Sequence, residues 1–287
     1  MHRWPVLSGN IRLVEAAFYE QVGADSYVAT PATIGPWSDD AQHGGPPSAL
    51  AARAIERHEP DERQRLARVS VDILRPIPVG KLSIRTRTVR PGRRVTLVEA
   101  VLEADGQDVL QARGWRIERP AGGVPEINEG GRPAWLPAPG DGTPPDIFGR
   151  QRHGYLTMIE WRFKADEYDS VRQGPDGRLE SRVRSAWTRQ LIPLLPGEEA
   201  SPMCRTLVVA DSGSGVSAAL PVSDFTFVNV DLTVITRRDP IGEWLLLESS
   251  TVIGADGTGL ASTSLSDQQG SFGRGIQTLI VAPNSRG

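Results

Sequence analysis

Val69-Ser70-Val71-Asp72-Ile73 and Asn229-Val230-Asp231-Leu232 are the stretches on which the fold turns. Each alternates apolar and polar residues with the period of two that a half-buried strand requires. Each carries an aspartate inside that alternation and runs on into a proline and glycine turn. Gly80 lies eight residues after Asp72, and Gly242 eleven after Asp231, an offset that one turn insertion accounts for. The pattern reads as an internal repeat.

Reading outward from the first stretch, Leu50, Ala51, Ala54 and Ile55 share one helical stripe between Pro46 and His58, and Gly44, Gly45 and the prolines mark its start. Strands follow at Val69 to Ile73, around Leu82 and Ile84, from Val95 to Leu102 and from Val109 to Ile117. Pro91-Gly92 and Asp105-Gly106 supply the turns. In the second half, strands around 156–163 and 182–192 precede a helix from Ser201 to Asp211, with Ser201 as its cap and Pro202 at its first position. Further strands read from Phe225 to Thr236, Trp244 to Ile253, Gly259 to Leu265 and Gly275 to Val281. A helix followed by long antiparallel strands thus occurs twice, an α+β unit and its copy. Ala121 to Gly149 is dense in glycine and proline and lacks periodicity, so it reads as a linker. The chain divides into domains at 1–120 and 151–287, joined by 121–150.

The 287 residues, 39% hydrophobic and 23% charged, suffice for two modest cores. A formal net charge of −3 gives no global field for a phosphate backbone or an anionic membrane, although 30 of the 32 basic residues are arginine. Nucleic acid and membrane are therefore not expected partners. Cys204 is the only cysteine, which excludes an intrachain disulfide and suits a reducing cytoplasm; it reads as a small core residue. Met1 to Asn10 lacks the apolar run of a signal peptide, and no stretch approaches a spanning helix. The four histidines, His2, His43, His58 and His153, do not fall at ligand spacing, so no metal is expected.

Several stretches resemble a known family. Ile34-Gly35-Pro36-Trp37, His43-Gly44-Gly45-Pro46-Pro47-Ser48-Ala49-Leu50 and Leu74-Arg75-Pro76-Ile77-Pro78-Val79-Gly80 look like the thioesterase-like proteins common in actinobacteria. Val209-Ala210-Asp211-Ser212-Gly213, Val230-Asp231-Leu232-Thr233-Val234 and Arg238-Asp239-Pro240-Ile241-Gly242-Glu243-Trp244 look like the matching parts of acyl-CoA thioesterase II. The resemblance implies a double hotdog, two curved antiparallel sheets each wrapping a central helix. It further implies catalytic Asp211, Thr233 and Gln277, although Leu232 stands where thioesterase II enzymes usually carry histidine, and Thr278 where they carry glutamate.

Those residue types suit thioester hydrolysis, which needs a positioned water, a carboxylate to draw off its proton and donors for the oxyanion. Asp211 would be the base, Thr233 and Gln277 would hold the water, and a backbone N–H near Gly44 and Gly45 would hold the oxyanion. His43 is a candidate donor to the thioester carbonyl, or an ordinary residue at the helix entrance. Arg90, Arg93 and Arg94 are candidates for the phosphates of coenzyme A at the mouth of an apolar pocket between the halves. The substrate would be an acyl-CoA or another acyl thioester, no cofactor is needed, and a monomer or homodimer is expected. A non-catalytic acyl or small-molecule binder is the alternative. A hydratase acting on enoyl thioesters, using Asp39, Asp40 and His43, is a third reading.

Overall fold

A computed structural model of the protein describes residues 17–128, 153–164 and 171–284. The Met1 to Asn10 stretch and residues 129–150 of the expected linker lie outside them. The first half builds strands β1 (Tyr19–Gly23) and β2 (Ser26–Ala29), helix α1 (Gly45–Arg57), then β3 (Gln64–Ile73), β4 (Lys81–Arg90), β5 (Val95–Ala104) and β6 (Gln107–Glu118). The second builds β7 (Ile159–Phe163), a small hairpin of β8 (Val171–Gln173) and β9 (Leu179–Ser181), and β10 (Arg184–Gln190). Helices α2 (Pro202–Ala210) and α3 (Gly213–Val216) follow, then β11 (Phe225–Asn229), β12 (Asp231–Thr236), β13 (Leu245–Ile253), β14 (Thr258–Asp267) and β15 (Gly270–Pro283).

Alternation places the core. Leu82 and Ile84 in β4, and Gly275, Gln277 and Leu279 in β15, are withdrawn from solvent at every second position, as a sheet with one covered face requires. Helix α1 lies across β3 to β6. Leu50, Ile55, Leu102 and Leu110 are fully buried in this core, and each such side chain contributes about 1.5–3 kcal/mol relative to an exposed one.

The two repeated stretches meet. β3 and β12 pair antiparallel with Asp72 opposite Asp231 and Ser70 opposite Thr233. Two curved antiparallel sheets, each wrapping a central helix, were expected. Instead, this pairing satisfies the backbone groups that would otherwise form two open edges, and the strands run as one 13-stranded sheet in the order β1-β2-β4-β5-β6-β3-β12-β15-β14-β13-β10-β7, with β11 also on β15.

Helix α2 does not repeat the setting of α1. It packs chiefly on α1 itself, while α3 lies over β13, β14 and β15. Gly45 approaches the Val208 carbonyl, and the Cys204 Sγ donates to the Ala49 carbonyl at 3.3 Å, so the two helices cross antiparallel. Cys204 is buried, and burial pushes its thiol up in pKa. Ser201 caps α2 as its sequence suggests, accepting from the Cys204 N–H at 3.1 Å. No described helix is long and apolar enough to cross a membrane.

Candidate active site

The antiparallel crossing places the start of α1 beside the end of α2. There His43 and Gly44 of the first half meet Asp211 and Ser212 of the second. Asp211 is the C-cap of α2, an unfavourable place for a carboxylate at the negative end of a helix. The beginning of α1 offsets this. Gly44, its N-cap, is so close that a Cβ there would sit 2.8 Å from Asp211 Oδ2. Asn229 Nδ2 donates to Asp211 Oδ1 at 2.7 Å. Asp211 is 4% exposed, so these partners replace most of its water.

Gln277, on β15, holds the break between α2 and α3. Its Nε2 donates to the Asp211 carbonyl at 2.9 Å and lies 3.4 Å from Oδ1, while its Oε1 accepts from the Ser214 N–H at 3.0 Å. Both ends of the amide engage protein groups, so Gln277 ties β15 to the backbone around Asp211.

The first turn of α1 has few donors to leave over. Pro46 and Pro47 lack an N–H, the Gly45 N–H donates to His43 Nδ1 at 3.1 Å, and the Ser48 N–H starts the helix ladder on Gly44 O at 3.1 Å. Among the described residues no hydrogen bond takes up the Gly44 N–H.

His43 is set by its loop, its N–H donating to Thr33 O at 2.8 Å beside the Ile34–Gln42 bridge. Its ring stacks on Tyr155 at 3.7 Å and 7°. Nδ1 lies 3.2 Å from Asp211 Oδ2, and Nε2 lies 3.4 Å from Ser212 Oγ. Burial lowers the imidazole pKa from 6.5, and the Asp211 charge offsets part of that. Protons therefore bind His43 in the unfolded chain before they bind it in the folded one. Stability should be independent of His43 above about pH 6.5 and should fall as pH drops from there toward the lowered folded pKa. Urea midpoints at pH 7.5 and pH 5.5 test this, and His43→Gln should flatten the difference.

Beside the pair opens a cavity of about 730 Å³, walled by both halves. Trp37, Leu156, Trp161, Phe163 and Phe227 supply an apolar wall, and His43, Gly44, Asp211, Ser212 and Asn229 line it too. Trp37 meets Phe227 edge to face at 5.2 Å.

Thr233 is elsewhere. Asn229 and Thr233 are four positions apart, but their partners Leu279 and Ile276 on β15 are only three apart. One extra residue is a β-bulge, and it reverses which side chains face inward. Asn229 therefore faces the site, while Thr233 shares the outer face with half-exposed Ile276. Asp231 secures the bulge by accepting the Thr278 N–H at 2.5 Å. Asn229 was not among the expected site residues, though it heads the repeated stretch Asn229-Val230-Asp231-Leu232.

The arginine cluster is corrected too. Arg90 lies over Trp115 and donates to Val95 O, and Arg93 pairs with Glu118 at 3.4 Å. Arg94 O accepts from the Glu118 N–H, near Arg116, which caps the C-terminal end of α1 at His58 O. The 13 residues of α1 put that end about 20 Å from His43 at 1.5 Å per residue. None of the three lines the cavity; Arg75 does.

Residues 33–117 match the family model of the acyl-CoA thioesterase N-terminal domain, and residues 133–281 that of the acyl-CoA thioesterase C-terminal domain. Among solved structures, the chain is similar to a protein named as a thioesterase II from Thermobifida fusca, with a TM-score of 0.71 and 20% identity over 94% of this chain and 97% of that one. It is also similar to an acyl-CoA thioesterase II from Mycobacterium marinum, with a TM-score of 0.62 and 15% identity over 96% and 97%. A protein with the hotdog fold from Alicyclobacillus acidocaldarius gives 0.63 and 15% over 97% and 100%. At these identities the likeness is one of fold. No curated protein matches the chain significantly.

Proposed function

Because the chain belongs to the acyl-CoA thioesterase family, we propose that it hydrolyses an acyl thioester, with Asp211 as general base acting on water. The halves 1–120 and 151–287 are read as two fused hotdog domains that share this site. The observation that carries the reading is the buried Asp211 carboxylate on the wall of an apolar cavity, held by Asn229 and facing the start of α1. The acyl group would occupy the aromatic-walled space, and the thiol half of the substrate, coenzyme A or a protein-bound pantetheine, would lead out past Arg75.

In the proposed reaction Asp211 takes a proton from water as the oxygen bonds to the thioester carbonyl carbon. The carbonyl oxygen becomes an oxyanion beside the Gly44 N–H, where the helix start favours negative charge. The C–S bond then breaks, and the departing sulfur takes the proton from Asp211. The products are a carboxylic acid and a thiol. A thiol-release assay over a panel of acyl-CoAs tests this. If no thioester is hydrolysed while an acyl ligand binds in the cavity, the reading as a non-catalytic binder replaces it.

The strand bulge makes a further distinction measurable. Asn229→Ala removes a charge-assisted donor from the base and should lower kcat roughly ten- to a hundredfold. Thr233→Ala, on the outer face, should change kcat by less than about twofold. The reverse order of effects would return Thr233 to the site.

A further inference from the structure

Two groups compete for His43 Nδ1. The Gly45 N–H, 3.1 Å away, needs a lone pair there, whereas Asp211 Oδ2, 3.2 Å away, needs a proton. A neutral imidazole offers one or the other. We propose that neutral His43 carries its proton on Nδ1 and donates it in a hydrogen bond to Asp211 Oδ2, with Ser212 and Tyr155 as the positioning residues that hold this tautomer. The proposal rests on the reading of Asp211 as an ionised base.

The energies favour the carboxylate. A hydrogen bond to an ionised acceptor is about twice as strong as a neutral one, and burial strengthens the difference. At the other ring nitrogen, a lone pair on Nε2 calls for a donor, and Ser212 Oγ at 3.4 Å is the group in place. The Tyr155 hydroxyl donates to Val208 O at 2.8 Å and lies 2.9 Å from Ser212 Oγ, so it ties Ser212 to the end of α2 beside the ring.

Burial holds Tyr155 in its protonated form and His43 uncharged. Asp211 and Tyr155 are the titratable groups that face the ring among the described residues; Ser212, Val208 and Gly45 do not titrate. The stack on Tyr155 at 3.7 Å stops the ring from turning over to exchange its nitrogens.

The tautomer is read directly in protein labelled with 15N-histidine, by two-bond 1H–15N correlation near pH 7.5. His43→Gln identifies the His43 signals among those of the four histidines. The expected pattern is a neutral ring with the proton on Nδ1. In Ser212→Ala the ring should move toward the Nε2–H form that free imidazole prefers in water, and kcat should fall roughly tenfold with KM unchanged. Tyr155→Phe keeps the stack and loses the hydroxyl, and should shift the tautomer in the same direction. An Nε2–H ring in the unaltered protein, or a tautomer indifferent to Ser212→Ala, overturns the proposal. The spectrum needs no substrate, so a protein that hydrolyses no thioester refutes the proposed reaction and leaves the assignment of the tautomer to stand or fall separately.

Discussion

Replacing Asp211 with asparagine is expected to lower kcat by roughly 10²–10⁴-fold, the range typical for loss of a general base. The substitution nearly preserves volume, and the remaining amide oxygen can still accept from Asn229 Nδ2, which reaches Oδ1 at 2.7 Å. The group lost is the basic oxygen. The contacts that set the backbone here survive, because Gln277 Nε2 bonds the Asp211 carbonyl and Gln277 Oε1 the Ser214 N–H. A melting curve close to that of the unaltered protein should therefore accompany the kinetic loss. Pairing the change with Gln277→Ala or Asn229→Ala should add little further loss, since those side chains act through the carboxylate that is already gone. A folded Asp211→Asn protein that cleaves its best thioester at full rate would remove Asp211 from the reaction.

Gly45→Ala should be the most damaging small substitution on the helix pair. A Cβ on Gly45 would lie 2.2 Å from the Val208 carbonyl oxygen and 3.0 Å from its carbon. Both are backbone atoms of α2, so no side chain can swing aside. Helix α1 would have to lift off α2, at an expected cost of about 1–3 kcal/mol and a Tm lower by roughly 2–10 °C. Activity should fall with stability, because the same movement draws His43 and Gly44 away from Asp211. Gly80→Ala is the matched control, since a Cβ there meets nothing within 4 Å. Equal melting temperatures for the two variants would show that the helices tolerate the extra methyl group.

Much of the fold is written locally. The stripe Leu50, Ala51, Ala54, Ile55 anticipates α1 (Gly45–Arg57) within a residue at each end. The long strands from β3 to β6 and from β13 to β15 follow their alternation and their turns. The short strands β1 and β2 escaped, because five and four residues give too little alternation to separate a strand from a loop. At the site, Asp211 and Gln277 were found through the resemblance, and the structure brings both together with His43. Thr233 and the three arginines were placed wrongly for different reasons. Thr233 fell to one inserted residue in a strand, and Arg90, Arg93 and Arg94 fell to the length of a helix.

By itself the sequence determines the repeated unit and the order of its long strands and main helices, because periodicity, turn chemistry and caps act between residues close along the chain. The tertiary structure alone decides that the two copies join through Asp72 and Asp231 in one sheet, and that His43 reaches an aspartate in the other half. It also decides that Asn229 rather than Thr233 faces the carboxylate. Those outcomes depend on strand register and helix crossing, which are set by contacts between distant segments; a shift of one residue exchanges the two faces of a strand without altering its alternation.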